Sequence, residues 1–480
     1  MRSSRGSKAF MEILKRLGPV VLPFADAATR ELPLARLLRL SMFQISVGMS
    51  MVMLTGTLNR VMVVEQGVSA WIVALMVSLP LVFAPFRALL GHRSDSHRSA
   101  FGWRRVPYLW MGTLLQFAGF AIMPFALLLL ADGGVGPQFV GPMAAAASFL
   151  LVGAGLHTVQ TAGLALATDL AAPEQRPRVV ALLYVILLLG MVASSSLFGF
   201  LLIDFSAERL IQVLQGVAVA TVAINLFALW KQEAINNVRA KARHIKGIPF
   251  MEAWRSFAQG SQIRRLLVVI GLGTAGFNMQ DILLEPYGGE ILGMSVAATT
   301  TLTALWAMGM LMAFSLAAVL LTRGADPYRI GGVGALLGVF AFVIVVLAVP
   351  MQSVLVFRIG TGLIGFGAGL FAVSTLLAMM SFARNEQSGI AVGAWGAVQA
   401  TAAGAAIAIG GALRDIVTAL GNRGLLMDSL STPASGYLVV YYLEIILLLA
   451  ALIAFLPLIR QGGPRHRTEE RFGMPDFPNA

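Results

Sequence analysis

Long apolar runs recur about a dozen times along the 480-residue chain, and they restrict its fold more than any other feature. One of them extends from Leu182 to Ile203. In a helix, about 20 apolar residues cross the ~30 Å hydrocarbon core of a bilayer. Only 12% of the residues are charged, against roughly 25% in soluble domains. The runs therefore exclude a soluble fold, and the absence of alternating hydrophobicity excludes an outer-membrane barrel.

The apolar runs predict an all-α polytopic membrane protein with twelve transmembrane helices. These are placed at roughly 38–62, 68–90, 107–131, 140–168, 179–203, 208–231, 265–290, 296–322, 329–350, 353–381, 389–412 and 436–460. Lys and Arg concentrate in the segments on one side of this arrangement. The other side holds only Arg60, Arg209, Arg358, Arg414 and Arg423. By the positive-inside rule, both termini are expected in the cytoplasm.

The two sets of six helices are related in sequence. Leu151–Gly155 (LVGAG) matches Leu363–Gly367 (LIGFG), and Glu174-Gln175 matches Glu386-Gln387 at the same offset of 212 residues. A parallel repeat of this kind predicts pseudo-symmetric six-plus-six halves, as in the major facilitator architecture. The predicted organisation is a cytoplasmic N-terminal and interfacial segment (1–37), an N-terminal half (38–231), a cytoplasmic central loop (232–264), a C-terminal half (265–460) and a cytoplasmic tail (461–480).

A group of turn-forming and charged residues follows the second predicted helix. It comprises Gly91, Asp95, Arg98, Arg104 and Arg105, and it is similar to the facilitator loop motif, with extra residues before the next glycine. An acid here can face a helix N-terminus, while the arginines lie at the membrane surface. Two interpretations stay open: a gating element, or a turn in a positively charged loop.

His157 is the one histidine that falls inside a predicted helix. An imidazole at membrane depth can bind a metal, including the magnesium of a tetrapyrrole, or carry a proton. The alternative is a histidine that hydrogen-bonds across a helix interface, and the residues alone favour it. Gly153, Gly155 and Gly163 on the same helix would let a neighbouring helix or a flat ring approach closely.

The seventh predicted helix carries a second polar cluster, with Asn278, Gln280, Asp281 and Glu285. Asp281 and Glu285 are four residues apart, a spacing that predicts one shared helix face. Two such carboxyl groups would exchange a proton or bind a cation. The alternative is that Glu285 and Glu290 lie in the membrane interface, where charge costs little. Pro286 and the two glycines after Tyr287 predict a broken helix end.

Several classes of protein are excluded by what the sequence lacks. It contains no cysteine, which rules out disulfides and thiol catalysis. It also has no P-loop, no dinucleotide fingerprint and no histidine–carboxylate spacing typical of a metalloenzyme. We therefore expect a protein that is not an enzyme and is not driven by ATP, and whose basic loops serve topology and not nucleic-acid binding.

Several longer strings resemble the PucC/LhaA family over nearly the whole chain, up to about residue 460. They are Leu22–Ala27 (LPFADA), Leu32–Arg39 (LPLARLLR), Gly56–Met62 (GTLNRVM), Pro85–Gly91 (PFRALLG), Arg93–Asp95 (RSD), Gly102–Tyr108 (GWRRVPY), Gly155–Asp169 (GLHTVQTAGLALATD) and Leu284–Glu290 (LEPYGGE). These strings are much more specific than the facilitator loop motif.

The resemblance implies a facilitator-fold assembly factor of purple phototrophic bacteria that delivers bacteriochlorophyll to light-harvesting antenna polypeptides. Further expected partners are the reaction-centre core complex, pigment-synthesis enzymes and the lipid bilayer, but no nucleic acid. The long N-terminus and the overall length favour the LhaA branch, which serves the core antenna. The PucC branch, which serves the peripheral antenna, remains open.

The resemblance also gives the polar residues an expected role in holding the pigment. His157 becomes the expected axial ligand of the pigment magnesium, with Gln160, Asn278 and Gln280 as polar wall residues. The aligned position in the second half is Gly369, so the site would be asymmetric. One alternative is a proton-coupled secondary transporter of a tetrapyrrole or another small solute, coupled through Asp281 and Glu285. Another is a chaperone that binds antenna helices without pigment.

Overall fold

The computed structural model describes residues 32–82, 103, 105–130, 137, 139–172, 175–232, 260–382, 388–426 and 432–461. The predicted interfacial segment up to residue 31, the central loop 233–259 and the tail 462–480 therefore lie outside the described residues. All regular structure in the described part is helical. A helix bonds its backbone N–H and C=O groups internally, which the hydrocarbon core of a membrane requires.

The described residues form twelve helices that cross the molecule, which confirms the predicted all-α major-facilitator-like fold. The first half contains α1 (Leu34–Glu65), α2 (Ala70–Val82), α3 (Val106–Leu130), α4 (Val140–Leu170), α5 (Arg176–Leu201) and α6 (Ala207–Leu229). The second half contains α7 (Ser261–Glu290), α8 (Val296–Thr322), α9 (Pro327–Leu347), α10 (Val354–Ser381), α11 (Ser388–Asn422) and α12 (Ser435–Gln461). All except α2, of which 13 residues are described, are long and apolar enough to span a membrane.

Several helix ends lie a few residues from their predicted positions, and two of these differences involve charged side chains. The first helix begins at Leu34 and not at 38, because Arg36 and Arg39 are helical although they are charged. Long basic side chains can reach the membrane surface from inside a helix end. The eleventh helix continues to Asn422, ten residues past its predicted end, because Arg414 is neutralised there by an ion pair with Glu290.

Matching glycine contacts hold corresponding helix pairs together in the two halves. A Cβ built on Gly112 of α3 would lie 2.8 Å from the carbonyl oxygen of Gly155 on α4. A Cβ built on Gly334 of α9 would lie 2.8 Å from the carbonyl oxygen of Gly367 on α10. Gly155 and Gly367 are the glycines paired by the 212-residue sequence offset. The repeat thus preserves a backbone-to-backbone packing that only small residues permit.

The halves are closed against each other at one side of the membrane. We call the side at which α1 begins the near face, and the opposite side the far face. Within the described part of the chain, hydrogen bonds join the halves through Thr57–Thr300, Asn59–Ile282, Arg60–Met294, Trp71–Asp415 and Ser195–Thr300. All of these residues lie toward the far ends of their helices, so this arrangement is closed at the far face.

Candidate functional site between the two halves

His157 and Gln160 lie one helical turn apart on α4, and both are buried in the protein, at 7% and 8% exposed. Their helix packs closely against neighbours through small residues, as the sequence predicts. A Cβ on Gly155 would lie 2.6 Å from the backbone nitrogen of Gln116 on α3. At Gly163 the flat ring that approaches is Phe43 of α1, 2.4 Å from a built Cβ. The glycines around His157 therefore serve helix packing.

The position equivalent to His157 in the second half has a different environment. A Cβ on Gly369 would lie 2.8 Å from the Cβ of Ala313 and 3.0 Å from the carbonyl oxygen of Met310, both on α8. Helix α8 thus comes so close to α10 that a side chain at 369 would displace it. In the first half the same position carries an imidazole. The difference between His157 and Gly369 therefore has a packing basis in the second half, where α8 fills the space beside position 369.

Helix α7 is broken inside the membrane, one turn earlier than its proline and glycines suggest. Its α-helical part ends at Asn278, a 3-10 turn spans Met279–Ile282, and α-helix resumes at Leu284. The amide nitrogen of Asn278 donates to the carbonyl oxygen of Thr274, 2.6 Å away on the same helix. In this state, that hydrogen bond keeps the Asn278 amide on its own helix.

The 3-10 turn corrects the prediction that Asp281 and Glu285 share a helix face. The Gln280 amide donates to Asp281, while the backbone N–H of Gln280 donates to Glu444 Oε1 at 2.7 Å. Gln280 thus links Asp281 to Glu444 of α12, which is 0% exposed. The sequence shows Glu444 as a lone acid in an apolar run, but only the fold reveals this arrangement.

Glu285 lies on the other side of the break, against α1 and α8. Its Oε1 accepts a hydrogen bond of 2.5 Å from the hydroxyl of Thr303, and the residue is 3% exposed. The carboxyl group of Glu285 is therefore buried within the protein. A Cβ on Gly56 of α1 would lie 2.6 Å from Glu285 Oε1, so only glycine leaves room for the carboxyl group. Arg60 is close enough to interact with Glu285 electrostatically.

The far end of α1 has an unusual backbone that brings it against α7. Residues Val52–Leu58 and Val61–Glu65 form π-helical turns, which are wider than α-helical turns and recur at functional sites. Between them, Asn59 donates to the carbonyl oxygen of Ile282 at 3.0 Å. Arg60 also forms an ion pair of 2.8 Å with Glu65 on its own helix.

Only Arg105 of the predicted loop motif is among the described residues; Gly91, Asp95, Arg98 and Arg104 lie outside them. Arg105 is 4% exposed, and its Nε lies 3.1 Å from Asp169 Oδ2. This ion pair connects the start of α3 to the end of α4. Arg105 thus stabilises the helix pair that carries His157, a contact that loop spacing alone does not indicate.

Gln44 of α1 is a further buried polar residue between the helices. Its side chain is 0% exposed. Neither its amide oxygen nor its amide nitrogen has a hydrogen-bond partner among the described residues. A buried amide without partners is costly, so Gln44 is a candidate for contact with a bound molecule or an ordered water.

The sequence matches the family model described as "PUCC protein" over residues 57–463. The chain belongs to the PUCC protein family. Protein PucC of Rhodovulum sulfidophilum is 58% identical over 86% of this chain and 92% of its own length. A protein of the puhA–bchM intergenic region of Rhodobacter capsulatus, named as uncharacterized, is 50% identical over 95% of this chain and 97% of its own.

A more distant relative and a solved structure extend this picture of the PUCC family. The "bacteriochlorophyll synthase 44.5 kDa chain" of Rhodobacter capsulatus is 26% identical over 80% of this chain and 88% of its own. A bacterial homologue of the lysosomal transporter Spinster, in an inward-facing and occupied conformation, superposes with a TM-score of 0.65. It is 12% identical and covers 88% of this chain and 96% of its own, so it supports the facilitator fold and nothing about cargo.

Proposed function

We propose that this PUCC family protein is an assembly factor that binds bacteriochlorophyll and delivers it to light-harvesting antenna polypeptides within the membrane. The observation that carries the proposal is the buried His157 on α4, at a position where the second half has a glycine covered by α8. An imidazole there would be the axial ligand of the pigment magnesium, with Gln160 beside it on the next turn. The name of the 26% identical relative, which includes bacteriochlorophyll, supports the choice of pigment.

The other predicted pigment contacts, Gln280 and Asn278, already have hydrogen-bond partners within the protein. Gln280 is held by Asp281 and by its own backbone bond to Glu444, while Asn278 is bonded to Thr274. Either residue would have to exchange its present hydrogen bond for one to the pigment. We therefore place the magnesium at His157 and treat Asn278 and Gln280 as wall residues of the second half.

The expected setting is a bacterial inner membrane with both termini in the cytoplasm, because Lys and Arg concentrate on the near face. Antenna polypeptides are the receiving partners, and the reaction-centre core complex and pigment-synthesis enzymes are the further expected ones. The protein would act as a carrier and not as an enzyme. The choice between core and peripheral antenna stays open, with the LhaA branch as our prediction.

The pigment claim is tested by purifying the wild-type protein and His157→Ala from a pigment-producing host and measuring bound bacteriochlorophyll per protein by absorption. We expect His157→Ala to lose most of the pigment or to shift its absorption. The matched control is Thr158→Val on the next residue, whose hydroxyl donates to the carbonyl oxygen of Ala154 on the same helix. Equal pigment content and spectrum in wild type and His157→Ala would refute the ligand role. A colourless wild type that retains antenna polypeptides would favour the pigment-free chaperone.

The second candidate function is a proton-coupled secondary transporter of a tetrapyrrole or another small solute. Buried acids favour it, since Asp281, Glu285 and Glu444 lie inside membrane helices, where ionisable groups are usually functional. Because the 3-10 turn within α7 places Asp281 and Glu285 against different helices, coupling would involve Asp281 with Glu444. Loss of pH-gradient-dependent uptake in vesicles on Asp281→Asn would support the transporter.

A disulfide cross-link at the far face would distinguish the two candidate functions, pigment delivery within the membrane and proton-coupled transport. The hydroxyl oxygens of Thr57 and Thr300 lie 3.3 Å apart across the halves, and the chain has no cysteine of its own. In a double variant with Thr57→Cys and Thr300→Cys, the two introduced thiols can therefore be oxidised to a disulfide with no native cysteine to compete. Delivery within the membrane predicts normal antenna formation after oxidation. Alternating access predicts a loss that a reductant reverses, while each single cysteine variant is the control.

A further inference from the structure

A basic cavity lies at the near face, away from the site between the halves. It has a volume of about 440 Å³ and is lined by Pro33, Ala35, Arg36, Arg39 and Lys231. The lining brings together the start of α1 and the residue that follows α6, which are nearly 200 positions apart in the chain. Among the described residues that line it, three of five are cations and none is acidic, so this lining is suited to an anion.

Arg36 is held in place by Gln232, which is 0% exposed. The guanidinium of Arg36 donates from Nη2 to the carbonyl oxygen of Gln232 at 2.6 Å and from Nε to its Oε1 at 3.2 Å. The side-chain amide nitrogen of Gln232 in turn donates a hydrogen bond to the carbonyl oxygen of Arg36 at 3.3 Å. These bonds fix one cation at the cavity wall before any ligand arrives.

The other two cations have features that point to a ligand. Nε of Arg39 is buried without a hydrogen-bond partner among the described residues, which leaves part of its desolvation cost uncompensated. Lys231 has a φ of 52°, a left-handed conformation that costs a non-glycine residue about 1–2 kcal/mol. That conformation lets its side chain line the cavity directly after α6 ends. Strain of this kind tends to persist at binding positions.

Exposed apolar and aromatic residues neighbour the lining residues in the chain. Leu38, Phe227 and Trp230 are 38%, 55% and 57% exposed. Leu38 lies between the two arginines in sequence, and Trp230 directly precedes Lys231. Tryptophan at the end of a transmembrane helix marks the headgroup level of the bilayer. Apolar and aromatic side chains do not bind a free inorganic anion, whereas the acyl chains of a lipid can pack on them.

We propose that this cavity binds the headgroup phosphate of a phospholipid with net negative charge. The phosphate would lie among Arg36, Arg39 and Lys231, and the acyl chains would run along Phe227 and Trp230. Basic pockets between transmembrane helices are suited to anionic headgroups. The bound lipid would bridge the ends of α1 and α6 and so stabilise the near face of the first half.

The test uses the purified, delipidated full chain and native mass spectrometry. The protein is titrated with phosphatidylglycerol, with phosphatidylcholine and, separately, with inorganic phosphate. The variants are Arg39→Gln and the double variant Arg39→Gln with Lys231→Gln; Arg36 stays, because it holds Gln232. The matched control is Arg323→Gln, an exposed arginine at the near end of α8. Thermal unfolding of each variant checks that the fold is kept.

We expect one phosphatidylglycerol to bind at least tenfold more tightly than phosphatidylcholine. Each cation removed should weaken it about fivefold, while Arg323→Gln leaves it unchanged. Equal binding of both lipids, or unchanged binding in the double variant, overturns the proposal. Binding of inorganic phosphate as tightly as phosphatidylglycerol overturns the assignment to lipid. Trp230→Ala should weaken phosphatidylglycerol binding, and an unchanged affinity would contradict the role of the aromatic surroundings.

Discussion

A single methyl group added at Gly56 is expected to disturb the contact between α1 and the second half. In Gly56→Ala, the new Cβ would lie 2.6 Å from Oε1 of Glu285 and 3.0 Å from Oγ1 of Thr303. Ordinary contact begins near 3.4 Å, so the carboxyl group must move by about 0.8 Å (3.4 − 2.6). The moved atom is the acceptor of the Thr303 hydrogen bond, which will lengthen or break.

The magnitude follows from that hydrogen bond. Losing a bond to a buried carboxyl group costs about 1–3 kcal/mol, and we expect Gly56→Ala to lower the free energy of unfolding by that amount. The matched control is Gly216→Ala on α6, where a built Cβ has nothing within 4 Å. There alanine should be neutral or stabilising by up to about 1 kcal/mol. Denaturant unfolding in detergent, monitored by tryptophan fluorescence, measures both.

The mechanism is checked by repeating the change in a Thr303→Val background. Because the hydrogen bond to Glu285 is then already absent, Gly56→Ala should cost less there than in the wild type. A double-mutant cycle reports this difference as a coupling energy. Equal destabilisation by Gly56→Ala in both backgrounds, or equal effects of Gly56→Ala and Gly216→Ala, would refute the reasoning.

Three further changes test other parts of the structure by the same unfolding measurement. Glu444→Gln keeps an acceptor for the backbone N–H of Gln280 and should lower the free energy of unfolding by less than about 1 kcal/mol. Glu444→Leu removes the acceptor and should lower it by about 1–3 kcal/mol more. Equal effects of the two substitutions would contradict the role of that hydrogen bond. Gly309→Ala places a Cβ 2.1 Å from a backbone carbonyl oxygen of α10, so it should cost at least about 2 kcal/mol, and a neutral result would argue against this helix contact. Arg105 and Asp169 should show a coupling of about 0.2–1 kcal/mol that falls with added salt, since the Asp169 side chain is 42% exposed; a coupling insensitive to salt would contradict a screened ion pair.

Local properties of the chain were sufficient to predict the twelve helices and the relation between the halves. A helix that spans a bilayer is recognised by its own length and hydrophobicity, and a repeat by its own register. Gly155 and Gly367 match in sequence and make the same backbone contact in each half. The burial of His157 also follows from the sequence, because it lies in the middle of an apolar run.

The partners of the polar residues were decided by the tertiary structure. The sequence places Asp281 and Glu285 on one helix face, but a 3-10 turn at Met279–Ile282 separates them, because its residues advance by a different angle from those of an α-helix. Glu444 and Gly56 then lie against different sides of α7. Such contacts join residues more than 150 positions apart, and no spacing rule encodes them. The sequence therefore determines which segments enter the membrane, and the packing of those segments determines which buried polar groups meet.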